Sequence, residues 1–452
     1  MSNVNTNDNQ TLATEPVGKL LFRLAIPTVV AQLVNLLYNM IDRVYVGRIP
    51  EVGTEALAGL GVTFPIVMLV AAASGLAGMG GSARAAIAMG KGDNKQAEKY
   101  LGNATLLLII FSVLMTAGFL VTKDPILLAF GASNDTLPFA SSYLGIYLLG
   151  TIFVQISLGL NTFITNQGFA KTSMATVCIG AVLNIILDPI FIFGLNMGVR
   201  GAAMATIISQ AVSAVWVLVF LTGKRTILKL RVSCMMPDLK IIGSTLALGV
   251  SPFIMQSTES LIQLIFNTGM RNYGNDMYVA VMSILFSIMQ VVWMPMQGFA
   301  QGAQPIISYN YGAGNITRVK ECFRKLFIVC ISFSLGIIAL VELFPGMFIG
   351  IFTDDVELIQ LGIPALRVFM AGMCVMGAQT ACQQTFLALG ESFISMFLAL
   401  LRKVILLMPL ALLLPVVTGW GVWGLFMAEP ISDIIAVSTT ITMFKIRSRK
   451  IL

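Results

Sequence analysis

The sequence predicts an all-α membrane protein with about twelve transmembrane helices, in two six-helix lobes related by a pseudo-two-fold axis along the membrane normal. Three observations lead to this prediction: few charged residues, long apolar segments along the whole chain, and an internal repeat. Of the 452 residues, 57% are hydrophobic and 11% are charged, whereas soluble domains carry roughly 25% charged residues. Strictly alternating segments, which are typical of a membrane β-barrel, are missing.

The apolar segments are near or above the roughly 20 residues that cross a bilayer core. We place twelve of them along the chain. They begin near Lys19, Gly59, Tyr100, Pro138, Thr172, Gly201, Lys240, Met277, Leu326, Leu358, Arg402 and Gly421.

Positive charge is concentrated in four clusters, at 91–99, 224–240, 318–325 and 445–450. Because basic residues in short loops stay on the cytoplasmic side, all four clusters should be cytoplasmic, and both termini with them. Nucleic-acid binding is the competing interpretation of basic patches. Membrane topology explains every cluster, so no nucleic-acid partner is expected.

The second half of the chain repeats the first at an offset of about 222 residues. The aligned pairs include Gly80 with Gly302, Gly90 with Gly312, Phe130 with Phe352, Gly150 with Gly372, Gly168 with Gly390 and, with one residue of slippage, Gly198 with Gly421. Chance agreement between common membrane residues does not explain a constant offset over separate segments. Each unit holds an even number of spans, so the copies should be parallel repeats that face each other across a central cleft.

These features divide the chain into five parts. Residues 19–222 form an N-lobe of helices 1–6 and residues 241–444 form a C-lobe of helices 7–12. A basic cytoplasmic linker, 223–240, joins them. Residues 1–18 are a polar cytoplasmic segment without the basic start of a signal peptide, and residues 445–452 are a basic cytoplasmic tail.

The chain contains no histidine. That excludes histidine metal sites, Ser–His catalysis and histidine proton relays, and leaves carboxylates as carriers of coupled charge. The six cysteines form no CxxC pair and are interpreted as small apolar fillers. No enzymatic activity is expected from a duplicated chain without an extramembrane domain, and no cofactor other than a coupling ion.

Ionisable residues inside the bilayer cost about 2.5–3.5 kcal/mol each on insertion scales and are functional candidates by default. The candidates are Asp42, Arg84, Asp188, Glu259, Arg367 and Glu429.

Span 5 is the most informative. Asn184 and Asp188 are four residues apart and share a helix face, and Pro189 leaves a backbone carbonyl without its partner. Oxygen ligands of this kind suit a hard cation, to which Thr206 in span 6 adds a hydroxyl. Asp42 in the same lobe favours an ion site, because two nearby carboxylates either share a proton or require a cation such as sodium. The alternative is a structural polar cluster that joins neighbouring helices.

Pro27 interrupts span 1. Because proline has no N–H group, the carbonyl of Arg23 loses its partner and the helix is able to bend. A static kink is the alternative. A bend would reshape the pocket of the N-lobe.

Several segments resemble the multidrug and toxic compound extrusion (MATE) family, in order and over nearly the full length. They are LAIPTVVAQLVNLLYNMIDRVYVG in span 1, GKGD after span 2, LNIILDPIFIFGLNMGVRGAAMAT, SYNYGAGN and GWGVWGLFMAE. The resemblance implies a drug/cation antiporter that alternates between outward-open and inward-open forms.

The resemblance also implies site residues. The family's amino-lobe cation site looks matched by Asp42, Asn184, Asp188 and Thr206, and its seventh-helix acidic residue by Glu259. Some members add an aspartate in helix 10, whereas span 10 here offers Gln379, Thr380, Gln383 and Gln384. Glu259 is then a lone ligand, a proton carrier or a contact for cationic substrates, with Gln256, Gln379 and Gln383 as further candidates for contact with substrate or proton.

The leading hypothesis is secondary active multidrug efflux. Amphipathic, cationic compounds would leave by antiport with sodium or protons, through alternating access in a monomer embedded in the lipid of the plasma (inner) membrane. The alternative is a flippase for lipid-linked saccharide precursors, whose cleft would need several basic residues to hold pyrophosphate. Arg84 and Arg367 are the candidates for that role.

Overall fold

The computed structural model describes residues 11–451, and side chains as far as Ser448. Residues 1–10 of the predicted segment 1–18, Leu452, and the side chains of 449–451 in the predicted tail lie outside the described residues. The described part is helical and contains no strand.

Eleven helices in this part are long and apolar enough to cross a membrane, and a pair of helices bent by 59° makes a twelfth span. We number the spans α1 Val17–Gly47, α2 Gly53–Gly90, α3 Asn94–Ala129, α4 Leu137–Leu149 with Thr151–Asn166, α5 Ala170–Gly194, α6 Val199–Thr222, α7 Leu239–Tyr273, α8 Asp276–Gly312, α9 Ile316–Leu343, α10 Val356–Ala388, α11 Ser392–Val417 and α12 Val422–Ser448. A 3₁₀ turn at Val232–Met235 and a short helix at Pro345–Gly350 lie between spans.

Two of the predicted span starts are wrong. Span 9 begins at Ile316 rather than near Leu326, because Val319 and Cys322 are buried at helical spacing while the charged residues between them, Lys320 and Glu321, are exposed. Span 11 begins at Ser392 rather than near Arg402. Arg402 is buried in the middle of this helix, where carboxylates of α12 neutralise it.

The internal repeat is visible in the backbone of the loops. Gly92 and Gly314 have φ of +79° and +72°, and Gly168 and Gly390 have φ of +91° and +77°. Gly198 and Gly421 both have φ of +55°. Glycine adopts these left-handed conformations at no steric cost, so equivalent loops of the two halves turn at equivalent glycines.

The lobes touch mainly through three pairs of helices, α1 with α8, α2 with α7 and α2 with α8. Exchanging the lobes turns the first pair into the second and the third into itself, as a pseudo-two-fold axis requires. The contacts need glycine: an added Cβ on Gly249 would meet the Leu76 carbonyl oxygen, and one on Gly302 would lie 2.5 Å from Ala25 Cα. We call this contact the seam.

The seam lies toward one end of the molecule, which we call the linker end because it holds the α6–α7 linker and the loops 91–93, 167–169 and 313–315. At this end Gly90 packs against Tyr309, and Arg84 Nη2 donates a 3.1 Å hydrogen bond to Gly390 O. The hydrogen bonds described between the lobes reach from here to Gln32, whose Nε2 lies 3.1 Å from Gln301 Oε1. All four basic clusters lie at the linker end.

The linker is held by the N-lobe. The Gln167 side chain on the α4–α5 loop accepts hydrogen bonds from the backbone N–H groups of Ile227 and Leu228, at 2.9 and 2.8 Å. Asn103 of α3 donates to Cys234 O and accepts from the Asp238 N–H, at 3.3 and 2.9 Å. The linker therefore belongs structurally to the N-lobe as far as the start of α7.

Candidate functional site

A polar cavity of about 40 Å³ lies inside the N-lobe, between α1, α4, α5 and α6. Its lining is rich in amide and hydroxyl groups. The polar lining residues are Asn35, Tyr38, Ser157, Asn161, Thr176, Asn184, Thr206, Ser209, Gln210 and Ser213.

Asp42 and Asp188 form an acidic pair next to this cavity, beside its lining residues Tyr38 and Asn184. Asp188 is fully buried, Asp42 is half-buried, and their carboxyl groups lie within hydrogen-bonding reach of each other. Asn184 Nδ2 donates to Asp188 Oδ1 at 3.3 Å. One oxygen of each of the three side chains is buried and has no partner: Asp42 Oδ1, Asn184 Oδ1 and Asp188 Oδ2. An arrangement of this kind is chemically suited to holding a proton or a cation, because buried acceptors without a donor are costly.

The backbone of α5 changes next to Asp188. Pro189 cannot donate to the Ile185 carbonyl, and the helix widens into a π-helical turn at Ile190–Gly194. Turns of this kind occur frequently at functional sites. Asp188 therefore stands where the helix is already irregular.

Thr206 and three tyrosines complete the surroundings. The Thr206 hydroxyl donates to Ala202 O at 3.0 Å, so its oxygen keeps capacity to accept. Tyr143 lies within hydrogen-bonding reach of Thr206 and stacks on Tyr147, with ring centroids 6.1 Å apart. Tyr38 of α1 lies close to both carboxyl groups. Sequence reasoning missed the tyrosines. The available signal was the spacing of Tyr38 and Asp42, four residues apart on one helix face, whereas Tyr143 and Tyr147 come from another helix and no spacing links them to the acids.

Pro27 lies inside α1, which is one helix from Val17 to Gly47. The next residue, Thr28, is buried and donates to Gly298 O across the seam. Asp42 lies fourteen residues further along α1, or about 21 Å at the helical rise. A bend at Pro27 would therefore move Asp42 while the first turns of α1 stay in place.

Glu259 of α7 is paired. Its Oε2 accepts a 2.8 Å hydrogen bond from Lys403 Nζ of α11, so Glu259 is a member of an ion pair and not an isolated carboxylate. Gln379 donates to Gln383 at 3.1 Å, and Gln383 in turn lies 3.4 Å from Ser251 Oγ. These buried glutamines form a layer at the first half of α7, away from the Lys403 pair.

Gln256, predicted with this group, lies at the contact between the lobes, whereas Gln384 of span 10 bonds within the C-lobe. Gln256 is half-buried, and its Nε2 would be 3.2 Å from a Cβ added to Gly75 of the other lobe. Gln384 Nε2 donates to Gln304 Oε1 at 2.7 Å. Neither contact includes Glu259, so the structure does not gather these amides around the acid.

Comparison with known proteins also detects the duplication of the chain. A family model described as MatE matches residues 27–190 and, separately, residues 252–413, once in each half of the chain. The chain belongs to the MATE family.

Two curated relatives of this MATE protein carry the name multidrug export protein MepA. The one from Staphylococcus aureus is 24% identical over 450 residues, with 96% of this chain and 95% of the relative covered. The one from Staphylococcus saprophyticus is 25% identical over 437 residues, with the same coverage.

Solved MATE structures have the same fold. A crystal structure of a MATE protein in complex with MaD3S covers 99% of both chains with a TM-score of 0.91 and 25% identity. A second, described as the straight conformation, matches with the same values. The predicted family, and an all-α fold of two six-helix lobes in an integral membrane protein, are thereby confirmed.

The MATE protein also contains charged groups that sequence reasoning missed. Arg402 and Lys403 are buried in α11, and Asp433 joins Glu429 in α12. The predicted mid-chain basic residues lie elsewhere: Arg84 at the seam and Arg367 half-exposed beside Glu342. The missed signal was the spacing of Glu429 and Asp433, four residues apart on one helix face.

Proposed function

We propose that this MATE protein exports amphipathic, cationic small molecules by antiport with sodium or protons. The observation that carries the proposal is the Asp42–Asp188 pair with its unpartnered oxygens, beside a polar cavity. Two carboxyl groups in contact in a low dielectric hold a proton or a metal cation between them. The MepA relatives, named for multidrug export, support the assignment of drugs as cargo.

The oxygen atoms of the site suit a sodium ion as well as a proton. Sodium is a hard cation that takes oxygen ligands, and the carboxylates and the Asn184 amide each offer one unpartnered oxygen. Thr206 offers a fourth. A proton needs only the two carboxylates. The ion acts here as a transported substrate, and its occupancy sets which arrangement of the lobes is favoured.

We propose that the linker end faces the cytoplasm, with both termini inside and the protein acting as a monomer in the plasma membrane. The four basic clusters at this end support that orientation. The seam then closes the cytoplasmic side, and the cleft opens outward. Bending of α1 at Pro27 would couple ion binding near Asp42 to the shape of the N-lobe cavity.

The flippase alternative is not favoured. The two buried basic residues of the C-lobe, Arg402 and Lys403, are each already paired with a carboxylate. They therefore offer no free positive charge to a pyrophosphate group.

Uptake of a fluorescent cation into inverted vesicles tests the proposal, with a pure sodium gradient compared with a pure pH gradient. We expect flux with one gradient, and expect Asp188→Asn to abolish it while the protein still inserts. Asp135→Asn, an exposed aspartate in the 130–136 loop, is the matched control and should transport normally. Undiminished flux in Asp188→Asn would remove the carboxyl pair from the mechanism.

A further inference from the structure

A second cluster of buried charges lies inside the C-lobe, where α7, α11 and α12 meet. Arg402 Nε donates to Asp433 Oδ1 at 2.8 Å, and Arg402 Nη2 lies 3.3 Å from Glu429 Oε1. The neighbouring Lys403 bonds to Glu259 at 2.8 Å. Arg402, Lys403, Glu429 and Asp433 are each at least 95% buried. Ion pairs this deep are costly unless every charge is balanced.

The charges do not balance. Two cations face three carboxylates, which leaves one negative charge in excess. The excess is visible in the hydrogen bonding: Glu429 Oε2 and Asp433 Oδ2 are buried and have no partner. Both belong to the carboxylates that flank Arg402, on one face of α12. An unbalanced charge in this setting requires a bound cation or a proton.

The other groups packed around the cluster supply no positive charge. The Trp293 ring of α8 lies 5.5 Å from the Arg402 guanidinium carbon and stabilises it by a cation–π contact. Gly372 of α10 lies against Asp433, where an added Cβ would be 3.0 Å from Oδ2. The α7 side contributes Glu259, which Lys403 already pairs. No further cation from these helices reaches the unpartnered oxygens.

A proton satisfies this site better than a metal ion. A sodium or calcium ion needs several oxygen ligands around it, whereas two oxygens are unpartnered here. Among the described residues no group of three or more acidic or cysteine side chains has a geometry suited to a metal. The adjacent guanidinium and ammonium groups would also repel a metal ion. A single proton on a carboxyl oxygen restores neutrality and needs no additional space.

We propose that the Glu429–Asp433 pair binds one proton, carried on Glu429 Oε2 or Asp433 Oδ2 while Arg402 and Lys403 stay charged. Glu259, one quarter exposed at the edge of the cluster, is its most accessible member and marks the side from which the proton enters. The site is separate from the N-lobe carboxyl pair and stands or fails independently of it.

Infrared difference spectroscopy of the full chain in lipid nanodiscs tests the proposal. The starting protein is the double variant Asp42→Asn/Asp188→Asn, which lacks the N-lobe carboxyl groups and serves as the background for the further substitutions. This background should retain the carbonyl band of a protonated carboxylic acid, and the band should disappear as the pH is raised. Adding Glu429→Gln or Asp433→Asn should abolish the band, because either change balances the cluster without a proton. Asp354→Asn, in an exposed loop, should leave it unchanged.

A band that persists in both variants would overturn the proposal, as would a background that shows no such band at any pH at which the protein is folded. Thermal unfolding of the variants is a second test of the proposal. Each single neutralised variant should be at least as stable as its parent. If both fail to fold while Asp354→Asn folds, the excess charge is needed structurally, and the proposed proton site is wrong.

Discussion

The Thr28 hydroxyl of α1 lies 2.6 Å from the carbonyl oxygen of Gly298 in α8. This distance is within the normal range of an O–H···O hydrogen bond, as is the 2.8 Å from the same hydroxyl to the Ala25 carbonyl within α1. The bond fixes α1 to the opposite lobe at the residue after Pro27. The first turns of α1 are thereby attached to the C-lobe, while the part that carries Asp42 packs with the N-lobe.

Replacing Thr28 with valine should loosen the seam. A buried hydrogen bond contributes about 1 kcal/mol, so the ratio of seam-closed to seam-open protein should fall roughly five-fold. Spin labels at Lys95 and Lys320, exposed on opposite lobes at the linker end, should show a larger population at long distance. Thr28→Ser keeps the hydroxyl and should resemble the parent. Equal distance distributions in the valine variant and the parent would contradict this role.

Gly249→Ala should block closure of the seam. The added Cβ would overlap the Leu76 carbonyl oxygen, and backbone cannot move aside as a flexible side chain can. The lobes would have to part at the linker end, so we expect efflux to fall more than ten-fold. Gly243→Ala on the same helix is the control, since nothing lies within 4 Å of its Cβ position. Normal efflux in Gly249→Ala would show that the seam does not close this tightly during transport.

The parts of the fold that depend on local pattern were predictable from the sequence. Long apolar segments and a constant offset predict two lobes of six spans, and the equivalent loop glycines share their backbone conformation. Asn184 and Asp188 were predicted as neighbours because residues four apart on a helix meet regardless of tertiary structure. Asp42 comes from another helix, so its position in the same lobe and the family resemblance favour it as a partner, but no local spacing predicts the contact.

The C-lobe cluster was not predictable in the same way. The sequence predicts that span 11 begins near Arg402, whereas Arg402 and the neighbouring Lys403 are buried inside that helix, where charge is rare. Their burial is tolerated only because α12 and α7 supply carboxylates at hydrogen-bonding distance. That pairing is a property of helix packing, and no periodicity within α11 reveals it.

Gln167→Leu should release the linker from the N-lobe. Leucine fills similar space but removes the acceptor for the N–H groups of Ile227, which is partly buried, and Leu228, which is buried, at a cost of about 1–3 kcal/mol for each buried group left unsatisfied. The basic linker should then be cleaved by trypsin at least ten times faster, as measured by gel analysis of the reconstituted protein. Gln96→Leu on the surface of α3 should not change the rate. Unchanged cleavage would mean that other contacts, such as those of Asn103, hold the linker alone.

Arg402→Met should destabilise the protein strongly. The change removes the partner of two carboxylates that are almost fully buried, Glu429 and Asp433, and breaking a buried ion pair from one side costs about 3–5 kcal/mol. Arg367→Met is the matched control: its pair with Glu342 is half-exposed, and surface pairs contribute about 0–1 kcal/mol. Thermal unfolding in detergent should therefore separate the two variants clearly. Combining Arg402→Met with Asp433→Asn should recover part of the lost stability, because it removes one of the unpaired charges. Equal melting temperatures for the two single variants would show that the cluster is solvated, and that its charges are not balanced by one another.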